Sequence, residues 1–246
     1  MQFHSISLIV FLVVTVSCLG SCKQVHLRDD ADLQSSIERL SELFDEYYKI
    51  PVYTQNLGDR SFIAWKDQRQ LRSFYETYRN DIRIMDNVFA INAKSAGAWS
   101  DDAMFSRGVL YCLLTQLASQ DPLTQESALA VWGDFIQLGP RVHIEESTKN
   151  ALGNAFVNKL DIVTPSLSYE ENLRVIFLAY RALSLLKLKE YQKATKETEF
   201  IIQNYPTSKY AQAYAPDQIH NIKQIMEGKM SPPEALPERW QGHRLK

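Results

Sequence analysis

Five histidines, His4, His26, His143, His220 and His243, are the side chains best suited to moving protons or holding a metal near neutral pH. None stands at zinc-ligand spacing from a cysteine or another histidine, and none sits beside a plausible nucleophile. Carboxylates are paired at Asp101-Asp102, Glu145-Glu146 and Glu170-Glu171. Such pairs can serve acid–base chemistry or a metal. Each pair also lies near the start of an expected helix, where the helix dipole favours negative charge, and a solvated acidic first turn is the simpler account. No glycine-rich loop is present to cradle a phosphate. The cysteines are Cys18, Cys22 and Cys112. Cys112 lies in an apolar helix with Val109, Leu110, Leu113 and Leu114, which reads as a buried, inert thiol rather than a nucleophile. The residues therefore predict no catalytic site, no metal and no cofactor.

Cys22 is different because of what precedes it. Ile6 to Leu19 is a nearly continuous apolar run, too short for the ~20 residues that cross a bilayer and of the right length for a secretory signal. It ends in Leu19-Gly20-Ser21-Cys22. Two small residues let the cleaved bond enter a narrow peptidase site, and a thiol is needed to receive a lipid. The stretch resembles the bacterial lipobox. The resemblance implies a signal peptide over 1–21, cleavage before Cys22 and a diacylglycerol thioether on its sulfur, with palmitate-type acyl chains. No Lys or Arg precedes the run, and an ordinary cleaved signal or an uncleaved anchor are the alternatives. With Cys18 removed and Cys22 lipidated, Cys112 would be alone and no intrachain disulfide could form. Lys23 follows the lipid cysteine. By resemblance to enterobacterial lipoproteins, the lack of aspartate there implies a periplasm-facing protein held in the outer membrane rather than the inner.

The 246 residues are 45% hydrophobic and 23% charged, ordinary globular values that allow one sizeable core or a short stack of helices. Net charge is −2, so no strong basic field exists to favour nucleic acid. Prolines at Pro122, Pro140, Pro165 and Pro206 fall between apolar-periodic segments, as punctuation does. No convincing period-two run flanked by hairpin turns is found.

The elements follow in order. Residues 22–31 read as a polar tether. Asp32 opens a first helix whose apolar face carries Leu33, Ile37, Leu40, Phe44 and Tyr47. Pro51 and Gly58 mark a loop. A long helix is expected from about Ser61 to Ile91, dense in aromatics: Phe62, Trp65, Phe74, Tyr75, Tyr78 and Phe89. Packing between the first two helices explains them. An aromatic-lined groove for a peptide of another protein is the second reading, with Trp65, Phe74, Tyr75 and Tyr78 as candidate partner-binding residues. Helices are then expected from Ser100, from Asp121-Pro122, and from Ile144 to about Leu160. Pro216 interrupts, and a last helix runs from Asp217 towards Gly228. The tail over 229–246 holds Pro232, Pro233 and Pro237 and reads as a flexible segment. Its Trp240 is either stray or a docking anchor for a partner.

The most regular stretch runs from Ser168 to Gly228. Ser168 and Glu171 have capping-box spacing. Val175, Ile176, Ala179, Ala182, Leu183 and Leu186 follow at helical spacing, and a short turn leads to a helix with Ala194, Phe200, Ile201 and Ile202, closed by Pro206. Ala182, Tyr191, Ala194 and Pro206 stand at the offsets of the small, aromatic, small and closing-proline positions of the tetratricopeptide repeat (TPR), which this stretch resembles. Lys189 stands where that family usually has glycine, and Thr198 where it has an aromatic. Ala128 and Pro140 repeat the spacing of Ala194 and Pro206, and Gly108 and Tyr111 match the small-then-aromatic pair of a first helix. The turn Tyr205-Pro206-Thr207-Ser208-Lys209-Tyr210-Ala211 is similar to the inter-repeat turn of periplasmic coordinators of this superfamily, which include the lipoprotein subunit of the outer-membrane β-barrel assembly machine. The resemblance implies an all-α fold of antiparallel helix pairs in a short, irregular TPR-like α-solenoid over 32–228. An irregular helical bundle is the plainer alternative. The expected function is a membrane-anchored scaffold or adaptor that binds a protein or peptide partner in the cell envelope, with no nucleic acid. An envelope enzyme or ligand receptor with a site enclosed by the helices is the competing expectation.

Overall fold

The computed structural model describes residues 32–56, 62–95, 100–118, 120–139 and 142–229, with the backbone alone over 54–56 and 62–65. Cys22, the expected signal segment over 1–21, Pro140 and Trp240 lie outside them. The fold is all-α apart from one short hairpin. The first helix, α1, covers residues 32–49. Leu33, Ile37, Leu40, Phe44 and Tyr47 are all buried along one face, as their spacing predicts.

The chain then departs from expectation. Val52–Asn56 (β1) and Phe62–Lys66 (β2) pair as antiparallel strands, with Tyr53 opposite Trp65. The expected helix from Ser61 therefore begins only at Gln68. Val52-Tyr53-Thr54 and Phe62-Ile63 are β-branched and aromatic, types that suit a pleated strand. Asp67 then stops the strand and starts the helix, its carboxylate accepting from the N–H groups of Arg69 at 2.7 Å and Gln70 at 3.4 Å. Lys66, buried at the end of β2, donates from Nζ to the carbonyls of Ile50 at 2.5 Å and Tyr47 at 3.3 Å and lies 4.8 Å from the Tyr47 ring centroid. A cation there suits the negative end of α1.

The helices that follow are α2 (Gln68–Asn92), α3 (Ser100–Leu117), α4 (Pro122–Gln137), α5 (Glu146–Ala155), α6 (Tyr169–Lys187), α7 (Tyr191–Asn204), α8 (Lys209–Ala213) and α9 (Ala215–Met226). α2 packs on α3, α3 on α4, α4 on α6, α6 on α7 and α7 on α9. α5 leaves this row. It and the 3-10 turn Val157–Lys159 lie against α1, where Phe156 meets Phe44 at 4.8 Å between ring centroids. That contact also explains why no single helix runs from Ile144 to Leu160: Phe156 leaves helical geometry (φ −134°, ψ −64°), and Phe156 and Val157 are both buried.

Two of the expected caps form. Glu171 N donates to Ser168 Oγ at 3.2 Å, and Ser168 N donates to Glu171 Oε2 at 2.8 Å. Asp121 caps α4 through Thr124 N at 3.1 Å, with Pro122 at the first helical position. Pro216 does not interrupt. It sits in the first turn of α9, where the missing N–H costs nothing. The core is centred on α3, α4 and α6, where Trp132, Phe135 and Phe177 are fully or almost fully buried and Trp132 Nε1 donates to the Gly108 carbonyl at 3.0 Å.

Lys189 and Thr198 each have a distinct structural setting. Lys189 has φ +62°, the left-handed geometry that glycine adopts without strain. Lys189→Gly is therefore expected to stabilise the protein by about 0.5–1 kcal/mol, read as a raised urea midpoint. Thr198 is fully buried, and the buried Tyr210 hydroxyl reaches it, so an aromatic from α8 occupies space that a ring at 198 would fill.

Candidate partner-binding surface

α2 carries aromatics on two faces, and the two faces do different things. Phe74 and Tyr78 turn towards α1. Phe74 is buried 6.1 Å from Tyr47 and 4.7 Å from Tyr78, ring centroid to centroid. Arg39 of α1 lies 5.7 Å from the Tyr78 ring centroid and pairs with Asp81 at 2.6 Å. These residues join α1 to α2. Tyr75 lies on the other side and lines an open cleft of about 560 Å³ between α2, α3 and the start of α4. The backbone places Trp65 on β2 opposite Tyr53, and Trp240 and Cys22 fall outside the described residues. The structure thus brings Phe74 and Tyr78 together and separates Tyr75 from both.

The cleft has charged walls and a part-apolar floor. Arg79, Arg83 and Asp86 of α2 face Leu123 and Thr124 of α4 across Tyr111 and Leu114 of α3. Asp86 is not free. It accepts from Arg107 Nε at 2.8 Å and from the Tyr111 hydroxyl at 3.4 Å. Burial, reinforced by Asp86, raises the Tyr111 hydroxyl above its ordinary range, so it stays a neutral donor. Leu123 is 71% exposed on the rim. Sequence reasoning missed this site because its walls come from three helices. Of its lining, only Tyr75 stood among the candidate partner-binding residues.

The carboxylate pairs do not all behave as solvated first turns. Asp101 Oδ2 accepts from the His143 N–H at 2.8 Å, and Asp102 Oδ1 from the Glu145 N–H at 3.1 Å. Asp102 is fully buried, and burial pushes its carboxyl above the usual carboxylate range. The pair clamps the segment that leads into α5. Glu170 forms a half-buried ion pair with Lys149 at 2.9 Å. Cys112 is fully buried, and burial pushes its thiol well up, away from the reactive thiolate. Among the described residues no group of three or more His, Cys, Asp or Glu side chains is placed to hold a metal ion. No helix among them is long and apolar enough to cross a membrane.

Lys187 has no counterpart in the sequence reading. It closes α6 and donates from Nζ to the Thr115 carbonyl at 2.7 Å, and burial pulls its ammonium down to about 8. Unfolding returns it to the ordinary lysine value of about 10.4 and takes up protons between the two. Stability from this group is therefore lowest below pH 8 and rises with pH up to about 10.4. Lys187→Met is expected to stabilise the protein at pH 7 by about 1–2 kcal/mol, the lost hydrogen bond included. The gain should shrink at pH 10, as read from urea unfolding at both values.

Comparison with family models, curated proteins and solved structures finds no match to this chain.

Proposed function

We propose that the protein is a lipid-anchored scaffold of the cell envelope, tethered through Cys22 and binding a protein or peptide partner through its helical domain. In this reading the helices form antiparallel pairs, stacked as a short, irregular TPR-like solenoid, with α5 as an insertion. The observation that carries it is the row of packing partners from α2 to α9, in which each helix contacts chiefly its neighbours, as repeat architectures require. The fit of Ala182, Tyr191, Ala194 and Pro206 to the repeat offsets supports it. The open cleft beside Tyr75 supplies a surface that a partner can reach. The outer membrane is the favoured location, and assembly of envelope proteins is the process that the resemblance suggests.

Crosslinked affinity capture from intact envelopes tests the reading. The wild-type chain is expected to bring down one discrete protein and to fractionate with membranes. Cys22→Ala should leave the membrane fraction and lose most of that partner. Normal membrane fractionation of Cys22→Ala, with no protein captured by either form, would remove both the anchor and the scaffold.

A further inference from the structure

We propose that the cleft between α2, α3 and α4 binds an acidic peptide segment that also carries a large apolar side chain, an inference that rests on the scaffold reading and names its partner class. Arg79 and Arg83 stand one helical turn apart on the α2 wall, and both are exposed. Among the described residues Arg83 has no ion pair, and Arg79 has only an exposed contact with Glu76 at 3.7 Å. The acids in the cleft are already engaged. Asp86 is held by Arg107 and Tyr111, and Asp121 caps α4 through Thr124. Arg83, with no ion pair among the described residues, and Arg79, held only by a long exposed contact to Glu76, therefore line the cleft while its own carboxylates are bonded elsewhere.

Arginine recognises a carboxylate bidentately, and partners complementary in charge are steered to such a wall. Half-buried Tyr75 lies beside the arginines on the α2 wall, and exposed Leu123 of α4 stands across the cleft; both offer apolar contact. An extended segment with Asp or Glu against α2 and Leu, Phe or Tyr against Leu123 satisfies both walls. A nucleic acid strand fits less well. Its backbone needs a track of cations, whereas this chain has a net charge of −2 and only two arginines, Arg79 and Arg83, lining the cleft.

The test uses the full chain and fluorescence anisotropy. The probes are a fluorescein-labelled pool of 12-residue peptides in which Asp/Glu alternate with Leu/Phe/Tyr/Ser, the same pool with Lys/Arg in the acidic positions, and an oligo-dT of matched length. The acidic pool should bind and the basic pool should not. R79E/R83E should weaken the acidic pool about tenfold or more, and Leu123→Ser several-fold. The control K196E/K223E changes net charge equally at exposed sites on α7 and α9 and should leave binding unchanged. Absence of acidic-pool binding, equal losses in R79E/R83E and the control, or tighter binding of oligo-dT would each overturn the proposal. If R79E/R83E still captures the wild-type partner from envelopes, the scaffold stands and this cleft is not where it binds.

Discussion

Gly108→Ala is expected to destabilise the protein by about 2–3 kcal/mol, the range of overpacked cores. Helix propensity predicts the opposite sign, since alanine is favoured over glycine inside a helix by about 1 kcal/mol. The difference lies in what the new methyl meets. A Cβ at Gly108 would stand 2.6 Å from Phe177 Cζ and 2.9 Å from Phe177 Cε2. Phe177 is fully buried and held edge-on against Phe135 at 4.9 Å, so its ring cannot swing aside. α3 and α6 must separate, and the hydrogen bond from Trp132 to the Gly108 carbonyl is strained with them. Phe177→Leu in the Gly108→Ala background should recover part of the loss, with a coupling above about 1 kcal/mol in a double-mutant cycle by urea unfolding.

Asn172→Ala should cost about 3 kcal/mol, because buried partners are left without a hydrogen bond. Asn172 Oδ1 accepts from the Thr164 N–H at 2.8 Å. Its Nδ2 donates to the carbonyls of Thr164 at 3.0 Å, Leu167 at 3.2 Å and Ser168 at 3.0 Å. One side chain thus holds the loop before α6. Thr164 Oγ1 in turn accepts from the Lys209 N–H at 2.8 Å, and Asp161 holds the Lys209 ammonium and the Tyr214 hydroxyl, so the loop also positions α8. Asn172→Asp separates the two halves of this role. Its carboxylate keeps the bond from Thr164 N–H but faces three carbonyls, which raises its folded pKa above the unfolded value. Stability of that variant should recover as pH falls and be lost as pH rises through the raised value. A pH series of thermal unfolding would show it.

The parts of the fold that were legible in the sequence are those specified locally. Ser168 and Glu171 cap α6 across three residues, Asp121-Pro122 starts α4, and the apolar spacing of α1 is buried as written. The hairpin was not legible because Phe62, Ile63 and Trp65 satisfy a helical aromatic stripe as readily as a strand, and only Asp67 separates the two. Asp102 was read as a first-turn carboxylate because its partner, Glu145 N–H, is 43 residues away. The candidate partner-binding residues were read as one group on one helix. Phe74 and Tyr78 point at α1, while Tyr75 meets the cleft, a division set by helices that pack from elsewhere in the chain. Spacing along α2 shows which residues share a face, but not what that face is packed against.

The scaffold account makes the cleft face of the helical domain the contact surface. Photo-crosslinking in intact cells tests this most directly, with a benzophenone-bearing amino acid placed in turn at Tyr75, at Leu123 and at Phe200, which is 45% exposed on α7 away from the cleft. The account predicts one discrete protein adduct from positions 75 and 123, and none of that mass from 200. No adduct from either cleft position, or the same adducts from all three, would contradict it.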